Sequence, residues 1–108
     1  ADALTWFARS ELSGTASVID GDTIDFDGKR VRLEGIDAPE TAQVCRKANG
    51  GEWPCGRASA DVLAQLVGAR RVTCREEGTD KYDRVLGVCS VDGVDINAEL
   101  VRRGYAWA

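Results

Sequence analysis

A ten-residue stretch, residues 31–40, constrains the fold of this chain more than any other part of its sequence. Its first half alternates apolar and charged residues, which is the pattern of a half-buried β-strand. Pro39 cannot donate to a strand ladder and biases the residue before it away from helix, so the strand should stop near Asp37. The stretch therefore sets one arginine and two carboxylates around a strand end: Arg32, Asp37 and Glu40. A core strand does not need that arrangement, whereas a site for phosphate and a metal ion does.

A hairpin is predicted immediately before this strand end. Asp27-Gly28, lying between two runs of alternating polarity, is a strong signal for a two-residue turn. Such a turn places Thr23 opposite Arg32, and it brings the acidic loop of residues 20–23 beside that arginine. Strict alternation would keep the loop carboxylate and Arg32 on different faces. Their convergence therefore requires the strand to break near Gly21, where glycine tolerates irregular backbone.

Strand patterns and one amphipathic stretch predict the rest of the fold. Strands are expected at residues 14–20, 23–26, 29–36, 70–76 and 82–91. A helix is expected from Gly56 to Gly68, with Ala58, Val62, Leu63, Leu66 and Val67 as its apolar stripe. Asn97 is expected to cap a short last helix that Gly104 ends.

These elements, five strands with one central helix and a short C-terminal helix, fit an OB-type antiparallel barrel, a mainly β fold with helices (α+β). Residues 1–13 are interpreted as an N-terminal arm and residues 14–108 as the single domain. A chain of 108 residues that is 44% hydrophobic suits one small core.

Composition excludes several classes of function. The chain has no histidine, which removes the commonest general base, the commonest zinc ligand and any Ser-His or Cys-His nucleophile system. No apolar run approaches the ~18 residues of a membrane span, so no membrane association is expected. The net charge of −4 argues against a long-footprint nucleic-acid binder, but it is compatible with a small site of locally positive potential.

Four cysteines, at positions 45, 55, 74 and 89, allow three pairings, and the absence of a C-x-x-C motif disfavours a zinc ribbon. A second hairpin centred between residues 81 and 82 puts Cys74 opposite Cys89, at about the separation that a disulfide needs. Cys45–Cys55 is then the other expected bridge; it would close a short loop and pin the long polar segment of residues 41–55. Two bridges predict an oxidising compartment, so we expect a secreted or periplasmic protein.

The acidic loop and the strand end together contain the parts that phosphodiester hydrolysis requires. Two carboxylates near one strand end can hold a hard divalent cation through oxygen ligands. Two arginines, Arg32 and Arg84, can clamp a phosphodiester and stabilise charge that develops in the transition state. A remaining carboxylate can orient or deprotonate water. Each of these residues taken alone is more often a polar turn or a surface ion pair.

Four motifs in this sequence resemble the staphylococcal nuclease (thermonuclease-like) family. They appear in family order and cover roughly residues 14–105: Ile19-Asp20-Gly21-Asp22-Thr23, Arg32 through Asp37-Ala38-Pro39-Glu40, Thr79-Asp80-Lys81-Tyr82-Asp83-Arg84, and Asn97-Ala98-Glu99-Leu100-Val101-Arg102-Arg103-Gly104. The resemblance implies an OB-fold, calcium-dependent endo- and exonuclease. Its substrates would be single- or double-stranded DNA and RNA, cut with little sequence preference to leave 3′-phosphates.

The resemblance also implies roles for individual residues. Asp22, Asp37 and the backbone carbonyl of Ala38 would bind Ca²⁺, with Asp20 and Thr23 in support. Glu40 would be the general base or would position water. The scissile phosphate would bind Arg32 and Arg84, and a terminal phosphate or the nucleotide would contact Lys81 and Tyr82. We expect the protein to act as a monomer.

The chain departs from the family pattern at several points. Ala38 replaces a common threonine, and Asp83 replaces the glycine usually found before the second arginine. The four cysteines and the acidic balance also differ from the best-known member, and the family continues into a further helix beyond the motifs matched here. The acidic balance, Asp83 and the expected lack of that further helix favour an alternative function, a non-catalytic OB module that binds nucleic acid or a protein partner. A disulfide-stapled structural domain is a third hypothesis.

Overall fold

The computed structural model describes residues 11–108, which form a mixed α+β structure made mainly of strands. The elements of this described part are β1 (Glu11–Gly14), β2 (Ser17–Asp20), β3 (Thr23–Phe26), β4 (Lys29–Leu33), β5 (Cys45–Arg46), β6 (Glu52–Trp53), α1 (Cys55–Val67), β7 (Val72–Thr79), β8 (Val85–Val91), β9 (Val94–Asp95) and α2 (Ile96–Arg102). Residues 1–10 of the predicted N-terminal arm lie outside the described residues, and the arm's last three residues belong to β1.

One sheet organises the described part of the chain, in the order β1-β7-β8-β4-β3-β2, with β9 paired to β8. Its two edge strands, β1 and β2, are separated in sequence only by Thr15 and Ala16, so the predicted strand over residues 14–20 is in fact two strands. The hydrogen-bonded ladder stays open between these edges. The sheet is therefore not the closed barrel that the strand pattern predicts.

The sheet is mostly antiparallel, as predicted, but the pairing of β4 with β8 is parallel. Val31 lies beside Val85 and Leu33 beside Gly87. A parallel pair needs a long crossover, and here α1 and β7 provide it. Gly87 allows the close approach, because a Cβ at that position would lie 2.8 Å from the Val31 side chain.

The first hairpin has the predicted register. Asp27 and Gly28 form the turn with φ of 52° and 97°, and Thr23 lies opposite Arg32. The predicted break near Gly21 is also present, because the β2–β3 register shifts between Val18 and Asp20. The return strand ends at Leu33, before the turn that leads to Asp37.

Both expected disulfides are formed. Cys74 and Cys89 are direct partners across β7 and β8, with a Cα–Cα distance of 4.0 Å. Cys45–Cys55 joins the short β5–β6 hairpin to the start of α1. Two disulfides are typical of proteins that fold in an oxidising compartment.

Helix α1 covers one end of the sheet and packs on the acidic loop. Its buried face consists of Cys55, Gly56, Ser59, Ala60, Leu63 and Val67, which is rotated from the predicted stripe. Ser59 contacts the Gly21 backbone so closely that a Cβ on Gly21 would lie 2.7 Å from the Ser59 Cβ. Small residues on α1 therefore bring the helix against the loops that carry the carboxylates.

The sequence position of Asn97 predicts that it caps α2, but the structure has a different cap. Asp95 is the cap and accepts a hydrogen bond from the backbone N–H of Ala98. The side chain of Asn97 is instead buried, where it accepts from the Cys89 N–H and donates to the carbonyls of Glu34 and Gly87. It thereby ties α2 to β8 and to the turn after β4.

Neither α1 nor α2, the helices of the described residues, is long and apolar enough to cross a membrane.

Candidate functional site

A cavity of about 190 Å³ brings together the residues that the sequence places at a catalytic site. It is lined by Asp20, Asp22, Arg32, Asp37, Ala38, Glu40 and Arg84. These residues come from three separate parts of the chain, namely the loop after β2, the strand β4 with the turn that follows it, and the start of β8. The sheet order makes them neighbours because β4 lies between β3 and β8.

Asp22 is the buried carboxylate of this cavity, with 7% of its surface exposed. One oxygen accepts from the Thr23 hydroxyl at 3.0 Å. The other accepts from the Ala38 N–H at 2.9 Å and lies 3.3 Å from the Arg32 guanidinium. Thr23 thus orients Asp22, and Asp22 holds the 37–40 segment against the acidic loop.

Arg32 lies between two carboxylates. Its Nη2 is 3.3 Å from Asp22 and 3.1 Å from Asp37, while its Nη1 donates to the carbonyls of Leu33 and Ile36. The guanidinium is therefore fixed by the turn that it precedes. Its positive charge compensates two negative groups that would otherwise repel each other.

The backbone of Asp37 is fixed from the C-terminal side of the chain. Asp37 and Trp107 exchange two backbone hydrogen bonds, each of 2.8 Å, although the Asp37 side chain is 74% exposed. Tyr105 extends this contact because its carbonyl accepts from the buried Ser59 hydroxyl of α1 at 2.8 Å. An open carboxylate on a fixed backbone can exchange its partner without unfolding the turn.

Asp20 lies at the rim of the cavity and supports the loop after Glu40. It accepts from both the backbone N–H and the hydroxyl of Thr41. Thr41 was not among the predicted site residues. The signal that could have found it is a hydroxyl directly after the Pro39-Glu40 pair, within reach of the acidic loop.

Glu40 has an exposed side chain and a tightly held backbone. Its carbonyl accepts from the Gln43 N–H at 2.8 Å, and the first turn of α1 packs against it at Gly56. A Cβ on Gly56 would overlap the Glu40 carbonyl oxygen and lie 2.8 Å from that of Thr41. The helix therefore sets the position from which the Glu40 carboxylate reaches the cavity.

Arg84 is held by Asp80, a residue to which the sequence assigned no role. The Arg84 Nε donates to Asp80 at 2.8 Å, and Asp80 also accepts from the backbone N–H groups of Tyr82 and Arg84. Partial burial raises the pKa of Asp80, but these N–H groups and the guanidinium outweigh it and leave the pKa below its ordinary value. The sequence signal that could have identified this pair is the four-residue spacing between Asp80 and Arg84.

Asp83 occupies a left-handed backbone position, with φ of 64°. This explains why glycine suits that position, since only glycine adopts such a φ without steric cost. Aspartate is among the residues that tolerate it best. Arg84 pairs with Asp80, so the neighbouring carboxylate does not take its place.

Lys81 and Tyr82 border a larger groove of about 610 Å³ that begins at the cavity and runs to Trp107. The Tyr82 ring is exposed, and both the Lys81 ammonium and the Arg84 guanidinium lie 5.3 Å from its centre. Trp107 is exposed at the far end of the groove. Two aromatic surfaces and two cations along one groove suit an anionic ligand that carries rings.

The cavity contains few side-chain oxygen donors that are close enough together for a hard cation. Within residues 11–108, no group of three or more acidic, cysteine or histidine side chains lies close enough to hold a metal ion. Two carboxylates, Asp22 and Asp37, do converge on one positively charged nitrogen of Arg32. Two carboxylates are fewer side-chain donors than a hard divalent cation needs, so carbonyl oxygens and water would have to complete its coordination.

Residues 30–108 match the family model described as "Staphylococcal nuclease homologue". The chain is 45% identical to a succinoglycan biosynthesis protein, ExoI, of Rhizobium meliloti over 92% of its own length and 53% of the relative's. It is 40% identical to an uncharacterized endonuclease of Escherichia coli, over 83% of the chain and 56% of the relative. It is 38% identical to the thermonuclease of Staphylococcus intermedius, over 93% of the chain and 61% of the relative.

The family model covers most of the chain, and its matched region contains both arginines and two of the four carboxylates of the cavity, Asp37 and Glu40. The chain therefore belongs to the staphylococcal nuclease family. It spans a little over half the length of the curated relatives that it matches.

Proposed function

We propose that this chain is a metal-dependent nuclease that hydrolyses phosphodiester bonds of DNA and RNA with little sequence preference. The observation that carries the proposal is the 190 Å³ cavity, in which two arginines face four carboxylates. An anionic phosphodiester needs the arginines, and water activation needs a carboxylate. Family membership supports the same reaction class.

Arg32 and Arg84 bind the scissile phosphate in this proposal. In the structure, Arg32 forms ion pairs with Asp22 and Asp37. Arg84 forms an ion pair with Asp80. These partners hold the guanidinium groups in place before substrate arrives, which lowers the reorganisation needed at the transition state. Both side chains keep part of their surface open to the cavity, with 19% and 31% exposed.

Glu40 is the proposed general base or water-positioning group. It lines the cavity with both arginines, and its backbone is held by Gln43 and by α1. Water attacks phosphorus, its proton goes to the carboxylate, and the bond from phosphorus to the 5′-oxygen breaks. The 5′-oxygen takes up a proton from solvent water and leaves as a hydroxyl, the carboxylate returns its proton to solvent, and the other product carries a 3′-phosphate.

A calcium ion would be held by Asp22, Asp37 and the carbonyl oxygen of Ala38, with Asp20 and Thr23 supporting the loop. When bound, the ion would supply Lewis-acid stabilisation of negative charge on the phosphate oxygens. Lys81 and Tyr82 would contact a terminal phosphate or the nucleotide in the 610 Å³ groove.

Family membership and the cysteines also support proposals for the fold and the location of the protein. The family implies an OB-fold, and the sheet, whose ladder is open between β1 and β2, is interpreted as an open form of that fold with its first strand interrupted at Thr15-Ala16. The two disulfides support a secreted or periplasmic location. We expect a monomer that acts on single- and double-stranded nucleic acid.

The experiment is cleavage of DNA and RNA by the full chain with calcium or with chelator. Glu40→Gln and Arg32→Ala should each lower kcat by on the order of 10²-fold or more if they act in the transition state. Glu77→Gln and Arg71→Ala are matched controls, because these exposed residues lie outside the cavity lining. Activity that is equal in chelator, or unchanged in Glu40→Gln, would contradict the proposal.

One observation favours a second candidate, a nucleic-acid binding module without turnover. Tyr82 is 67% exposed and Trp107 57% exposed along the same groove, which offers stacking surfaces independent of the cavity. Tight single-strand binding without calcium-dependent products would support that candidate over the nuclease.

A further inference from the structure

A second cavity of about 540 Å³ adjoins the candidate site and is lined by Arg30, Glu40, Tyr82 and Arg84. It shares Glu40 and Arg84 with the 190 Å³ cavity, and it shares Tyr82 and Arg84 with the 610 Å³ groove. The groove lining includes Trp107 but not Arg30, so the two openings extend from the site in different directions. The candidate site therefore has space for a strand on both sides.

Arg30 is placed in this cavity by the alternation of β4. Arg30 and Arg32 are two residues apart, so they lie on the same face of the strand, separated by about 6.6 Å along it. Their register partners on β3 are Asp25 and Thr23. One nucleotide of an extended strand can bridge such a spacing, so the two guanidinium groups suit successive phosphates.

Arg30 is also much less restrained than Arg32. Its side chain is 57% exposed, and its ion-pair distance to Asp25 is 3.9 Å. The Asp25 carboxylate already accepts from the Gly28 N–H in the hairpin turn. An exposed pair at this distance contributes little, so the guanidinium can turn toward a ligand at small cost.

We propose that the 540 Å³ cavity is a second phosphate subsite, in which Arg30 binds the phosphate adjacent to the scissile one. This inference rests on the proposed nuclease function and extends it to the substrate. The subsite and the groove that contains Trp107 meet at Tyr82 and Arg84, and Arg30 lines the subsite but not the groove. A substrate with phosphates on both sides of the cleaved bond is then preferred to one that ends at that bond.

The test uses tetranucleotides whose central linkage is a phosphodiester, with an uncharged methylphosphonate at one flank, at the other flank, or at neither. Product masses report which linkage is cut. Arg30→Gln is compared with Lys29→Gln, because Lys29 is the adjacent cation on the other face of β4 and pairs with Glu76 at 3.6 Å. The two variants remove the same charge from neighbouring positions.

We expect Arg30→Gln to lower kcat/KM at the central linkage about 5-fold, the upper range for an exposed ion pair. This loss of kcat/KM should vanish when the methylphosphonate replaces the flanking phosphate that Arg30 binds. It should persist when the methylphosphonate is at the other flank. Lys29→Gln should match the unmodified chain on all three substrates. An equal loss on every substrate, or no loss on any, would overturn the subsite.

Binding separates this inference from the proposed function. If the unmodified chain cleaves no substrate, the nuclease proposal fails, and fluorescence anisotropy with a single-stranded DNA then tests the subsite alone. Arg30→Gln should reduce the slope of log K against log salt by about 0.7, the value for one single-strand phosphate contact, and Lys29→Gln should leave it unchanged. An unchanged slope in Arg30→Gln would overturn the subsite.

Discussion

Gly56→Ala is the substitution that most directly tests how α1 positions Glu40. A Cβ at this position would overlap the Glu40 carbonyl oxygen, and it would lie 2.7 Å from the carbonyl carbon and 2.8 Å from the Thr41 carbonyl oxygen. These atoms are backbone, so no side-chain rotation relieves the overlap. Either the helix or the Glu40 backbone must shift by more than ~1 Å before the Cβ clears the Glu40 carbonyl oxygen.

The magnitude follows from two opposing effects. Alanine favours a helix over glycine by about 1 kcal/mol. Overpacking against a rigid neighbour costs about 1–3 kcal/mol and takes the upper part of that range when the neighbour is backbone. The net expectation is a decrease of about 2 kcal/mol in the free energy of unfolding. A 1 Å displacement of a catalytic carboxylate costs on the order of 10² in rate.

Two assays on the same protein separate stability from positioning. Urea unfolding gives the free energy of unfolding, and kcat/KM on single-stranded DNA, measured well below the unfolding midpoint, reports Glu40. Gly51→Ala is the matched control, since its Cβ would meet only flexible side-chain atoms of Asn49 and Lys47. A Gly56→Ala protein with full activity would refute the argument that α1 sets the position of Glu40.

Three further predictions concern stability. Asn97→Ala should lower the free energy of unfolding by about 3 kcal/mol in urea titration, because the Cys89 N–H and the Glu34 carbonyl lose their partner, while the Gly87 carbonyl keeps only the Glu34 N–H. Removing the Cys74–Cys89 bridge in a Cys74→Ala/Cys89→Ala double variant, without reductant so that Cys45–Cys55 stays closed, should cost about 3 kcal/mol through a loop of about 15 residues, which the urea unfolding midpoint measures. The hydrogen bond from Arg102 lowers the pKa of Glu99 from 4.5 to about 2. Its stabilising contribution is therefore complete above about pH 4.5 and is lost as the pH falls toward 2, and Glu99→Gln should remove this part of the acid dependence of unfolding.

Local chemistry determined much of what the sequence predicts correctly. Asp27-Gly28 sets the register of Thr23 against Arg32, because two successive residues with positive φ allow only a tight turn. The same register argument pairs Cys74 with Cys89 across the second hairpin. Gly68 ends α1 where the apolar periodicity stops. These features depend on residues close together in the chain, so their patterns can be read without the fold.

Contacts between distant segments needed the tertiary structure. The parallel pairing of β4 with β8 depends on the path of α1 and β7 across the sheet. Asn97 has the local chemistry of a cap, but the buried backbone of Glu34, Gly87 and Cys89 offers it three partners, so Asp95 caps the helix instead. The preference of asparagine for a capping position is worth about 1 kcal/mol. It is outweighed here because leaving buried backbone groups without a hydrogen bond costs more than that.

For the candidate site, too, some features followed from the sequence and others needed the tertiary structure. The sequence by itself identified the residue types, their order and the approach of the acidic loop to Arg32, because motif chemistry and one hairpin register suffice for that. Only the tertiary structure placed Arg32 between Asp22 and Asp37, bound Arg84 to Asp80 and packed Gly56 against Glu40. Each of these contacts depends on atomic distances across the fold, and those distances follow from packing rather than from spacing along the chain.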